Sequence, residues 1–136
     1  MSRLVVVSNR IAIPDGSKAS AGGLTVGIVD ALKTTGGVWY GWNGDITEIG
    51  EDEEELSMLE QDGITYASFG LNQNDYDLYY LQFSNAVLWP AFHYRLDLVN
   101  FQREAWDGYQ RVNTQLAQRL VPLLQEDDVL WIHDYH

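Results

Sequence analysis

Leu4-Val5-Val6-Val7-Ser8-Asn9-Arg10 is the stretch on which the fold turns. An unbroken aliphatic run closed by Ser-Asn-Arg lacks the in-out alternation of a half-wet strand, so it reads as a strand buried on both faces of a parallel sheet. Ligands of open α/β sheets gather at the carboxyl ends of such strands, which makes Arg10 and its neighbours a candidate site edge.

Working outward, Ile11 to Gly23 carries Pro14, Asp15-Gly16 and Gly22-Gly23 and reads as a loop. Leu24, Ile28, Ala31 and Leu32 then recur at helical spacing until Thr34 to Gly37. Val38-Trp39-Tyr40-Gly41-Trp42 fits either a strand or a tight aromatic loop, and Ile64 to Phe69 alternates as a strand. Asp75 to Phe83 has a short helical pattern, with Asn72 or Asn74 as its cap. Trp89-Pro90 is expected to hold Trp89 out of the helical region in a turn. Asn100 to Leu124 is the long helix, with Trp106, Tyr109, Val112, Leu116, Leu120 and Leu123 on one face and Pro122 ending or kinking its last turn. Val129 to Ile132 reads as a second buried strand that runs into His133-Asp134-Tyr135-His136. The pattern favours an open α/β, partly Rossmann-like layer with few elements for a complete doubly wound sheet. A small complete α+β domain is the competing reading.

Eight Lys and Arg against twenty Asp and Glu give a formal net charge of −12, which argues against a phosphate-backbone or anionic-membrane binder. Nine of the acids lie between Asp45 and Asp62, where no basic residue falls, so that segment reads as a solvated insertion or hairpin connection. Its pattern is not that of a calcium loop. With no cysteine there are no disulfides, thiolate ligands or thiol nucleophiles, and the expected compartment is cytoplasmic. No export or membrane-spanning segment is visible in the 136 residues.

The candidate chemistry lies in three places. Arg10 and the Gly22-Gly23 entry to the first helix suit a phosphate, but a surface arginine and ordinary loop glycines look the same. Gly22-Gly23-Leu24-Thr25-Val26-Gly27 is not a dinucleotide fingerprint, and no Lys-Ser/Thr phosphate loop follows, so hydride transfer and ATP hydrolysis lose support. Tyr80, Trp89, His93, Tyr94 and Arg95 crowd a proline, offering rings for a sugar and polar ends for its substituents, although core packing uses the same residue types. Asp134 stands just past the last strand, flanked by His133 and His136. It suits sugar hydroxyls, general base chemistry or simple loop capping. His-x-x-His with one Asp is weak grounds for a metal, and none is expected.

Read in order, Ser8-Asn9-Arg10, Ala21-Gly22-Gly23-Leu24, Trp39-Tyr40-Gly41-Trp42, Asn85 to Tyr94 and Trp131 to His136 form a specific set. The chain resembles the trehalose-6-phosphate synthase family of retaining GT-B glycosyltransferases, most closely the bacterial members. The resemblance implies an α/β fold that is the Rossmann-like N-terminal portion of a GT-B enzyme, incomplete at residue 136. Residues 1–136 would be part of the acceptor-binding domain, with the nucleotide-sugar-binding domain outside this chain.

The same resemblance implies transfer of glucose from UDP-glucose, a substrate and not a cofactor, to glucose 6-phosphate with retention, in trehalose biosynthesis and osmoprotection. It assigns Arg10, Tyr80 and Asp134 to the acceptor, Gly22 and Gly23 to a loop near the donor diphosphate, and Trp89 to sugar orientation and anomeric selectivity. Trp42, His93, Arg95 and His133 would support them. No residue is implied as a covalent nucleophile. The isolated 136 residues are expected to be inactive and the parent protein active, with a homo-oligomer open to it and no nucleic-acid or membrane partner. A glucosylglycerol-phosphate synthase acting on glycerol 3-phosphate, or a noncatalytic sugar-phosphate-binding or assembly module, are the alternative functions.

Overall fold

The computed structural model describes residues 2–14, 23–48 and 56–136. The first strand, β1 (Leu4–Arg10), forms as the aliphatic run requires, with Val5 and Val6 fully buried. Helix α1 (Gly23–Thr35) carries the chain back so that β2 (Gly37–Thr47) lies parallel to β1, Leu4 opposite Gly37 and Val6 opposite Trp39. This is the crossover that parallel pairing demands. The aromatic run from Val38 is thus a buried strand, which removes the tight-loop alternative. β3 (Ser57–Gln61) and β4 (Ile64–Asn72) form an antiparallel hairpin, and β4 pairs parallel to β2. The hairpin accounts for the end of the acidic segment, whose β3 is wholly exposed; residues 49–55 lie outside the described residues.

After β4 the chain turns into a continuous helical path. Asn72 caps it, its side chain accepting the Asp75 backbone N–H, and short α2 (Gln73–Asp75) passes into a π-helical run over Tyr76–Leu88 and then α3 (Trp89–Phe92). The expected turn at Trp89-Pro90 is overturned: Trp89 is helical, at φ −57° and ψ −53°. The accommodation is visible in the hydrogen bonds. Trp89 N–H donates five residues back to the Ser84 carbonyl. The Ala86 carbonyl, which would face the missing N–H of Pro90 in an α-helix, instead accepts from Asn100 N–H at 2.9 Å.

Helix α4 (Arg103–Leu120) is shorter than the apolar pattern suggested, because Gln102 is still extended at φ −128° and ψ 133°. Pro122 sits in a single 3-10 turn, Val121–Leu123, that ends it. Its deepest residues are small: Ala105, Gly108 and Val112 are buried with Leu120, while Trp106, Tyr109 and Leu116 flank them half-buried.

β5 (Val129–Ile132) then pairs parallel to β1, completing a five-stranded sheet of order β3-β4-β2-β1-β5. Within these 136 residues the expectation of a buried strand is not met. All four residues are exposed, Ile132 by 67%, since β5 is an edge and among the described residues its one strand neighbour is β1. The parallel core decides for α/β against α+β. Alternation along the strands splits the interior. Val5, Tyr40, Trp42, Phe69 and Tyr79 pack with Val112 and Leu120 of α4 on one face, and Val6, Trp39, Ile64 and Tyr66 pack with Ile28 and Leu32 of α1 on the other.

Candidate functional site

The carboxyl ends of β1, β2 and β5 lie side by side, and the helical path after β4 crosses beside them. Arg10 is the last residue of β1 and is exposed, its guanidinium carbon 5.7 Å from the centroid of the Trp42 ring. Gly44 leaves the space for it, since a Cβ there would lie 2.7 Å from Arg10 Nη2. Trp42 is buried, donates Nε1–H to the Asp45 carbonyl at 2.8 Å, and presents its ring to Tyr76 at 5.3 Å.

From there the rings continue in a row. Tyr76 stacks on Tyr80 at 5.4 Å and Tyr80 on His136 at 5.7 Å. His136 stacks on Tyr135 at 4.4 Å, and Tyr135 meets Phe92 edge-on at 5.8 Å. Arg10, Trp42, Tyr80 and the Asp134 loop, far apart in sequence, are thereby joined along one line at the sheet edge. The row offers a cation, phenol hydroxyls and aromatic faces, which together suit a phosphorylated sugar: the guanidinium for the phosphate, the rings for the C–H faces.

The loop after β5 is pinned from two sides. His133 N–H donates to the Val7 carbonyl at 2.8 Å. Tyr109 hydroxyl donates to the Tyr135 carbonyl at 2.9 Å, and Asn113 Nδ2 to the His136 carbonyl at 3.2 Å. Asp134 is exposed and left-handed, φ 68°, and accepts the Tyr135 backbone N–H at 3.0 Å. Burial pushes the His136 imidazole below its ordinary pKa, with Asp134 opposing and His133 reinforcing the shift, so at neutral pH it stacks as a neutral ring. Among the described residues no group of His, Cys, Asp or Glu side chains is placed to hold a metal ion, and no helix is long and apolar enough to cross a membrane.

The other sequence candidates fall outside the row. Trp89 stacks on His93 at 4.2 Å, with His93 Nδ1 2.6 Å from the Trp89 carbonyl. Their helix α3 reaches the row through Phe92. Arg95 is ion-paired with Asp97 at 3.1 Å, both exposed. Gly23 opens α1 and is exposed, while Gly22 lies outside the described residues.

Several residues that build the site escaped sequence reading. Tyr76 was recoverable, since Tyr76 and Tyr80 have the i, i+4 spacing of stacked helical neighbours. Tyr79, whose hydroxyl donates to Asn9 Oδ1 at 2.6 Å, and Asp75, paired with Arg111, bridge segments that nothing local connects.

Residues 2–136 match the model of Glycosyltransferase family 20. The chain belongs to that family. A trehalose-6-phosphate synthase of Klebsiella pneumoniae is 65% identical over 136 residues, covering 100% of this chain and 28% of that protein. Among solved structures, the Escherichia coli protein bound with UDP-2-fluoro glucose superposes with a TM-score of 0.87 at 61% identity, over 98% of this chain and 28% of that one. The Burkholderia xenovorans α,α-trehalose-phosphate synthase (UDP-forming) in complex with glucose-6-phosphate gives 0.85 at 54% identity, over 98% and 28%. The chain therefore spans 28% of the length of these relatives. It is similar to the N-terminal part of bacterial trehalose-6-phosphate synthases, and its Rossmann-like α/β fold is that of the N-terminal domain of a GT-B glycosyltransferase.

Proposed function

We propose that the parent protein transfers glucose from UDP-glucose to glucose 6-phosphate with retention, forming α,α-trehalose 6-phosphate and UDP, and that residues 1–136 supply its acceptor side. The observation that carries this reading is the row from Arg10 through Trp42, Tyr76 and Tyr80 to His136 at the sheet edge. Relatives bound with UDP-2-fluoro glucose and with glucose-6-phosphate support it.

In this reading Arg10 takes the acceptor phosphate, Tyr80 and Asp134 take its hydroxyls, and Trp89 orients the sugar and sets anomeric selectivity. Gly22 and Gly23 approach the donor diphosphate, with Trp42, His93, Arg95 and His133 in support. The acceptor hydroxyl attacks the anomeric carbon as the bond to the UDP diphosphate oxygen breaks on the same face, and its proton passes to the departing diphosphate. No covalent enzyme intermediate is required. The contribution of this chain is alignment of the acceptor, which turns an encounter of two solutes into a positioned reaction. Stabilisation of the leaving diphosphate falls mainly to groups outside it, so the isolated 136 residues do not turn over.

The test is product analysis by the intact parent protein with UDP-glucose and either glucose 6-phosphate or glycerol 3-phosphate. Trehalose 6-phosphate with an α,α linkage by NMR is expected. Exclusive glucosylglycerol phosphate would overturn the acceptor assignment, and binding of both substrates without UDP release would overturn the enzymatic one.

A further inference from the structure

Two residues of the acceptor row sit next to residues that bond each other. Asn9 precedes Arg10 at the end of β1, and Tyr79 precedes Tyr80 in the π-helical run; the Tyr79 hydroxyl donates to Asn9 Oδ1 at 2.6 Å across 70 positions of sequence. Tyr79 is a rigid origin for that contact. It is 2% exposed, its ring stacks on Tyr109 at 6.0 Å, and its carbonyl accepts the hydroxyl of fully buried Ser84 at 2.8 Å. Burial holds its phenol far above the ordinary range, with Tyr109 and Tyr80 adding to the shift, so it stays a donor at any working pH.

A π-helical run of this length is unusual, and its buried Leu78, Phe83, Ser84 and Val87 seat it on the core. The Tyr79–Asn9 bond ties that run directly to the end of the strand that carries Arg10. We infer that the Tyr79 hydroxyl, by donating to Asn9, is the positioning contact that sets the separation of the Arg10 guanidinium from the Tyr80 hydroxyl, and so tunes recognition of the phosphorylated acceptor sugar. This inference rests on the acceptor-site reading proposed above. Neither Tyr79 nor Asn9 need touch the sugar: each acts through its neighbour in the chain.

The test uses steady-state kinetics of the intact parent enzyme. Tyr79→Phe keeps the ring and removes the donor; Asn9→Ala removes the acceptor without touching the core. Each is expected to raise the KM for glucose 6-phosphate about five- to twenty-fold while leaving kcat and the KM for UDP-glucose within about twofold. The double variant should be no worse than the poorer single one. Tyr40→Phe is the control for loss of a buried hydroxyl, since Tyr40 donates to the Leu116 carbonyl at 2.8 Å on the same core face. It should lower Tm without moving the acceptor KM. An acceptor KM unmoved by Tyr79→Phe but raised by Arg10→Ala would overturn the positioning role alone, as would strictly additive effects of Tyr79→Phe and Asn9→Ala. An acceptor KM unmoved by Arg10→Ala would overturn the acceptor-site reading, and the positioning role with it.

Discussion

Arg111 of α4 forms an ion pair with Asp75, whose carboxylate is almost fully buried at the start of the helical path that carries Tyr76 and Tyr80. Asn72 Nδ2 donates to the other Asp75 oxygen at 3.2 Å, so both oxygens are occupied. A buried carboxylate stripped of its cation is costly, but Arg111 is half-exposed and solvent screens part of the loss. Arg111→Ala should destabilise the folded protein by about 2 kcal/mol in urea unfolding. Asp75→Asn should cost less, because it leaves no buried charge behind.

Gly44 is the second point of leverage on the proposed acceptor site. It has φ +91° and faces the Arg10 guanidinium. Gly44→Ala adds both backbone strain of ~1–2 kcal/mol and a methyl group where the guanidinium lies. The acceptor KM should rise about tenfold, with ~1.4 kcal/mol of binding lost, and Tm should fall. An unchanged acceptor KM would show that the guanidinium does not depend on this cradle.

Gly108 tests the packing of α4 against the π-helical run. Alanine in a helix interior ordinarily gains about 1 kcal/mol over glycine. Here a Cβ would stand 2.5 Å from Leu78 Cβ, part of the neighbouring element's backbone-proximal core. Overpacking of this kind costs roughly 1–3 kcal/mol, so the usual sign reverses. Thermal unfolding of Gly108→Ala should show a lower Tm, whereas Ala105→Gly should also lower it by opening a void.

The contact between Arg3 and Asp128 ties the start of β1 to the turn before β5, at 2.8 Å and 3.0 Å through two guanidinium nitrogens. The Arg3 hydrogen bonds hold the Asp128 carboxyl below its ordinary 3.8, and the Gln125 backbone N–H adds to the shift. A carboxyl with a lowered folded pKa stabilises the fold above its unfolded value and loses that contribution as pH falls through the folded one. The Tm of Asp128→Asn should therefore lie below that of the unsubstituted protein at neutral pH, and the gap should close as the pH drops below 3.8. A gap independent of pH would mean that Arg3 stabilises through its bond to the Leu123 carbonyl instead.

What could be read from the chain was local. The aliphatic run of β1, the Asn72 cap and the stop at Pro122 each rest on neighbours in sequence, and each stands in the structure. The failures share a cause. Trp89-Pro90 reads as a turn because proline biases the residue before it away from the helical region, and the helical path, with Asn100 serving the Ala86 carbonyl, outweighs that local bias. β5 has the composition of a buried strand, yet burial depends on what packs against it, and within these 136 residues β1 is its one strand neighbour among those described.

The same division runs through the site. Sequence by itself determined the strand-helix-strand order and the chemistry on offer at Arg10, Tyr80 and Asp134, because residue type and short-range periodicity are written into neighbouring positions, while the family came from the resemblance of motifs spread along the whole chain. Only the tertiary structure decided that Arg10 reaches Asp134's loop through Trp42, Tyr76, Tyr80 and His136, and that Tyr79 is bonded to Asn9. Those contacts join residues brought together by parallel pairing and helix packing. Their geometry is set by the packing of the whole layer, and no local preference encodes it.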